Sequence, residues 1–85
     1  MQRFLVERYV PSRQRASLER EIERMQRAAT PGVRLLETLY MPDDEVCFHI
    51  FESDSPELVE QASRSAGFGV QRVLPVIAFD QGEEQ

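Results

Sequence analysis

Between Glu45 and Glu52 the chain reads Val46-Cys47-Phe48-His49-Ile50-Phe51, an apolar run that alternates between two faces. Val46, Phe48 and Ile50 fall on one side and Cys47, His49 and Phe51 on the other, because successive side chains of a strand point in opposite directions. Both sides are apolar, so the pattern predicts a central strand covered on each face. The second side also carries the chain's single imidazole and single thiol.

The same reading, taken in order, yields five further elements. Arg3 to Val10 alternates as a strand, with Phe4, Val6, Arg8 and Val10 on one face and Leu5, Glu7 and Tyr9 on the other; Pro11 and Ser12 end it. Arg13 to Ala29 repeats apolar residues at helical spacing through Leu18, Ile22, Met25 and Ala29. Its outer faces mix arginine and glutamate, with Glu23–Arg27 and Glu21–Arg24 spaced as intrahelical pairs, which describes a solvated surface. Thr30-Pro31-Gly32 stops this helix. Val33 to Met41 is a second strand, joined to the central one by a turn at Pro42-Asp43-Asp44. Ser55-Pro56-Glu57 starts a second helix with a capping hydroxyl, a first-turn proline and an acidic residue at the positive end of the dipole. Leu58, Val59, Ala62 and Ala66 form its apolar stripe, and Gly67 ends it. Val70 to Phe79 is the last strand, and Pro75, which has no N–H to give, places it at an edge.

Strand, helix, strand, strand, helix, strand is the order of an α+β, ferredoxin-like βαββαβ domain with a four-stranded antiparallel sheet. Right-handed crossovers put the first and third strands in the middle. Residues 1–80 make one domain and 81–85 a short acidic tail. Two helices cover only one sheet face, yet strands two, three and four are apolar on both. Leaving the second face bare would expose roughly several hundred Å² of apolar surface, more than a single-copy protein usually shows. The expectation is a homodimer of the dimeric α+β barrel type, joined through the open sheet faces around a shared cavity.

Charge and composition narrow the partners. The net charge of −5 argues against nucleic acid, which calls for a cationic surface. All of the basic residues are arginine, a bias that base composition explains. No apolar run is long enough to span a bilayer, and no charged-then-apolar leader is present, so no membrane contact is expected. One cysteine cannot form an internal bridge and fits a reducing, cytoplasmic setting.

The expected cavity face holds Leu5, Glu7 and Tyr9 beside Cys47, His49 and Phe51. Thr38 and Tyr40 join them if the hairpin loop has an even number of residues; an odd loop presents Glu37 instead. Arg72 is a further candidate. Glu7, Tyr9, Tyr40, His49 and Arg72 are therefore the ligand-binding candidates, with no catalytic residue assigned. Glu7 and His49 together suit a transition metal such as nickel, or an acid–base pair. His49 can equally be a satisfied core histidine, paired with Glu7 or a backbone carbonyl. Cys47, buried on a central strand, reads as packing rather than as a nucleophile.

The opening RFLVERYVP, Gly32-Val33-Arg34, the strand from Cys47 to Glu52 running into Ser55-Pro56-Glu57, and Ser65-Ala66-Gly67-Phe68 followed by Gln71-Arg72-Val73 resemble a family of small bacterial domains of formerly unknown function, described as nickel-binding. The resemblance implies a ferredoxin-like fold and dimers. Its metal-binding members carry Val-His-Arg in the first strand, where this chain has Val6-Glu7-Arg8. They carry Ala-His-Gly near the end of the second helix, where Ser63 to Phe68 contains no histidine. The resemblance thus points to a non-metal branch of the family or to one using a different ligand set. Two functions follow as expectations: a non-enzymatic dimeric protein binding a small molecule or a metal ion between its sheets, or a cofactor-independent oxygenase or isomerase.

Overall fold

The computed structural model describes residues 1–27, 31–69 and 72–79. The strands are β1 (Gln2–Tyr9), β2 (Val33–Met41), β3 (Val46–Ser53) and β4 (Arg72–Val76), and the helices are α1 (Arg15–Arg27) and α2 (Pro56–Ser65). A 3-10 turn, Ser12–Gln14, leads into α1, so the first helix begins later than the apolar spacing alone suggests. The Ser55 hydroxyl caps α2 by accepting the Leu58 N–H, and Pro56 occupies the first helical position. Gly67, at φ +87°, makes the left-handed exit that a side chain resists. The expected end of the first helix at Ala29, the start of the last strand at Val70 and the acidic tail lie outside the described residues.

All strand pairs are antiparallel, and the sheet order is β2-β3-β1-β4. This α+β arrangement, with two helices and a four-stranded sheet, is compatible with a ferredoxin-like fold. Pro75 sits opposite Phe4 on the edge strand β4, where its missing donor costs nothing on the solvent side.

Register decides which side chains the helices cover. β1 and β3 pair Phe4 with Phe51, Val6 with His49 and Arg8 with Cys47. β2 adds Leu35 opposite Phe51, Thr38 opposite His49 and Tyr40 opposite Cys47. These residues form the helix-covered face. The hairpin loop spans residues 42–45, an even number, so Thr38 and Tyr40 do accompany His49 and Cys47. A bulge between Leu35 and Glu37 absorbs one residue, which returns Leu35 to the same side as Thr38 and Tyr40 and breaks strict alternation in β2.

The core has two apolar parts. Phe4, Val6, Phe51, Val59, Ala62, Phe68 and Met25 pack together under α2 and the end of α1. Val10, Leu18 and Cys47 form a smaller cluster, with Ile22 and Tyr40 against it. Each fully buried Phe or Val contributes about 1.5–3 kcal/mol relative to exposure. Between these parts lies a row of polar side chains.

The other face carries Leu5, Ile50 and Leu74 as one cross-strand row and Leu39, Phe48, Glu7 and Arg72 as the next. Its core-like residues are only half-buried, and Leu39 and Met41 are 51% and 43% exposed. No described helix is long and apolar enough to cross a membrane.

Candidate functional site

The expected cavity face divides in two. Leu5, Glu7 and Tyr9 are on the open face as anticipated, but Cys47, His49 and Phe51 are on the helix-covered one. The β1–β3 register places Val6, not Glu7, opposite His49. Glu7 and His49 therefore point to opposite sides of the sheet. They can neither share a metal ion nor act as an acid–base pair, and no cluster of three or more ligating side chains exists among the described residues. Tyr40 lies on the covered side and donates its hydroxyl to the Val10 carbonyl at 2.8 Å.

His49 is 0% exposed and satisfied, by other partners than expected. Arg8, on the inward face of β1, donates from Nε to His49 Nε2 at 3.0 Å. A guanidinium can only donate, so Nε2 carries the lone pair and the ring hydrogen sits on Nδ1. Nδ1 then donates to Thr38 Oγ1 at 2.8 Å. Cys47 Sγ lies 3.5 Å from the same Nε2. Burial, followed by the positive charge of Arg8, pushes the imidazole down to about 3, so it is neutral throughout the physiological range. Burial also pushes the Cys47 thiol up, with Arg8 opposing, so the group is a protonated thiol rather than a nucleophile.

Arg8 is itself accommodated on three sides. Its Nη2 pairs with Glu21 at 2.7 Å, so Glu21 turns inward instead of meeting Arg24 on the helix surface. Its guanidinium carbon stands 4.0 Å from the centre of the Phe68 ring. Phe68 in turn stacks on His49, with centroids 4.7 Å apart and planes 16° from parallel. The loop after α2 thus supplies an aromatic plate that separates the charge from water. Of these partners the sequence pattern singled out only His49, Cys47 and Thr38. Arg8, Glu21 and Phe68 were missed as site residues. A signal existed: Arg8, Thr38 and His49 are the polar interruptions of otherwise apolar strand faces, and aligning them satisfies all three.

On the open face, Arg72 contacts one oxygen of Glu7, with Nη2 at 3.2 Å and Nε at 3.4 Å from Oε1. These two expected ligand residues are brought together. Tyr9, 55% exposed, donates to Glu45 Oε1 at 2.7 Å, a bond that raises its phenol pKa. Glu45 Oε2 accepts the Ser12 N–H at 2.7 Å, and the hydrogen bonds from Ser12, then Tyr9, bring its carboxyl down to about 2. Glu45 has φ 57°, an unusual value for a side-chain-bearing residue. Its carbonyl also accepts the Val10 N–H at 2.8 Å, so the hairpin tip is clasped to the end of β1 by both backbone and side chain. A groove of about 790 Å³ lies at the opposite end of the sheet, between Met1, Arg3, Glu52, Val76 and Phe79; it contains none of the expected site residues.

The site is thus two separate things: a largely buried polar row inside an α+β domain, and an apolar sheet face on which Glu7 and Arg72 pair. A family profile, described as a domain of unknown function, DUF3303, matches residues 2–84, and the chain belongs to that family. The description names neither a metal nor a reaction. No curated protein and no solved structure matches the chain.

Proposed function

We propose that this domain is a non-enzymatic, dimeric small-ligand-binding protein of the dimeric α+β barrel type, in which two copies pair their open sheet faces around an apolar chamber. The observation that carries this reading is the open face itself. Leu5, Leu39, Phe48, Ile50 and Leu74 lie contiguously across all four strands, and neither described helix covers them. Surface of this kind marks an interaction site.

Charge selects a second copy as the cover. The face carries Arg3, Arg34 and Arg72 against Glu7, Glu37 and Glu52, so it is balanced. A strongly acidic or basic partner gains nothing from it, whereas a two-fold contact requires a self-complementary surface. Glu7 and Arg72 are the polar groups best placed inside such a chamber. Metal binding and acid–base catalysis by Glu7 with His49 form no part of this reading, because the sheet separates the two.

Sedimentation equilibrium tests it. The chain is expected to sediment as a dimer at about 100 µM, as a micromolar or tighter association requires. Leu39→Asp and Phe48→Asp, which put charge in the centre of the contact, are expected to give folded monomers. A wild-type monomer at that concentration would falsify the proposal.

A further inference from the structure

The class of ligand follows from the state of Glu7, an inference that rests on the dimeric reading above. Glu7 stands in the middle of the open face, on a central strand, with Phe48 and Arg72 as cross-strand neighbours. Leu5 and Tyr9 flank it along β1 on the same side. Both Arg72 contacts go to Oε1. Among the described residues, no hydrogen bond reaches Oε2. The phenol of Tyr9 is committed to Glu45. Arg34, Glu52 and Arg3 form a separate cross-strand row nearer the start of β1.

Covering this face removes water from Glu7, which is already half-buried. As a unit the Glu7–Arg72 pair is neutral, so it enters a dry space without adding net charge. Its free Oε2 remains a strong acceptor that must be met by a donor once solvent has gone. A ligand carboxylate would set one anion against another. A ligand ammonium would add a second cation to a carboxylate that Arg72 already neutralises, and Glu37, opposite Ile50 on β2, stands two strands away from Glu7. A neutral hydroxyl supplies the missing hydrogen and leaves the charge balance unchanged. We infer that the chamber takes a small, mostly apolar alcohol or phenol, whose O–H donates to Glu7 Oε2 while its hydrocarbon body lies against Leu5, Phe48 and Leu74.

Titration calorimetry of the whole chain with 1-octanol, octanoate and octylamine tests this, with light scattering on the same samples. The dimer is expected to bind 1-octanol at least about tenfold more tightly than either charged analogue, the scale of one well-made buried hydrogen bond. Glu7→Gln replaces an anionic acceptor with an amide that can donate, so octanoate is expected to gain at least about tenfold relative to 1-octanol. Circular dichroism confirms that the variant folds. A dimer that binds none of the probes, that prefers octanoate or octylamine, or whose preference is unmoved by Glu7→Gln overturns the ligand class and leaves the dimer standing. A chain that scatters as a monomer overturns both.

Discussion

Arg8 donates its Nε hydrogen to Nε2 of His49 across 3.0 Å, linking side chains 41 positions apart in the interior of the domain. This bond fixes the imidazole as the neutral Nδ1–H form and turns that hydrogen toward Thr38. It joins β1, β3 and β2 in one polar row between the two apolar parts of the core. A buried, permanently charged guanidinium is tolerated because Glu21, His49 and Phe68 all face it.

The domain is expected to lose stability in mild acid through His49. The folded-state pKa, about 3, lies below the ordinary value of 6.5. The unfolded chain therefore binds a proton that the folded one refuses. The contribution is fully present above about pH 6.5 and is lost as pH falls from there toward 3, amounting to several kcal/mol, on the order of 3–5, at full extent. Urea midpoints measured from pH 7 to pH 4 report it. His49→Gln is expected to be less stable at pH 7 but to show a shallower dependence over this window. An unchanged slope would show that His49 titrates normally in the folded state.

Replacing Arg8 should be among the most damaging single changes. Arg8→Met leaves the His49 acceptor and the partly buried Glu21 carboxylate without their donor, a loss of about 2–4 kcal/mol. Arg8→Lys is expected to rescue little, because an ammonium cannot reach both partners and cover the Phe68 ring as a planar group does. Glu21→Gln should cost less, about 1–2 kcal/mol, since the pair is partly solvated on the Glu21 side. Equilibrium denaturation of the three variants gives the ranking, and a Lys variant as stable as the parent would refute the geometry described.

Phe68→Ala is expected to cost about 3 kcal/mol or more, as for other buried aromatic truncations. It should also admit water to the ring it covers. Because desolvation is the principal cause of the His49 shift, the imidazole pKa should rise toward 6.5 in this variant. Proton NMR titration of the single histidine reads the change directly; Phe68→Leu, which keeps the site dry, should leave it low.

At the hairpin clasp, Glu45 should titrate near 2, well below its ordinary value of 4.5. The support it lends to the fold is therefore present above pH 4.5 and fades as pH falls toward 2. Glu45→Gln should let the Tyr9 phenol, now raised by that carboxylate, fall toward its ordinary value of 10.0. Carboxyl-carbon NMR and ultraviolet titration of tyrosinate check the two statements separately.

Much of the architecture was legible in the amino-acid order, because period-two strands, period-three-to-four helices and the punctuation at Pro11, Gly32, Ser55 and Gly67 agree with one another. Pro75 even identified its own strand as an edge. The relative register of β1 and β3 was not legible, since β3 is apolar on both sides, β1 carries a charged residue on each, and a shift of one residue exchanges the faces. That ambiguity misplaced His49. The bulge at Leu36 was hidden for a similar reason: Leu35, Leu36 and Leu39 fit either side equally well. Phe68 was passed over because, between two glycines, it looked like part of a helix exit, and only the fold reveals that it reaches back over β3.

Cys47 has one last implication. Enclosed at 0% exposure beneath the helices, the chain's lone thiol cannot meet another from a neighbouring molecule without unfolding. Any assembly this folded chain makes is consequently held by reversible forces alone, and its extent is governed by how much of the protein is present, not by the oxidation state of its surroundings.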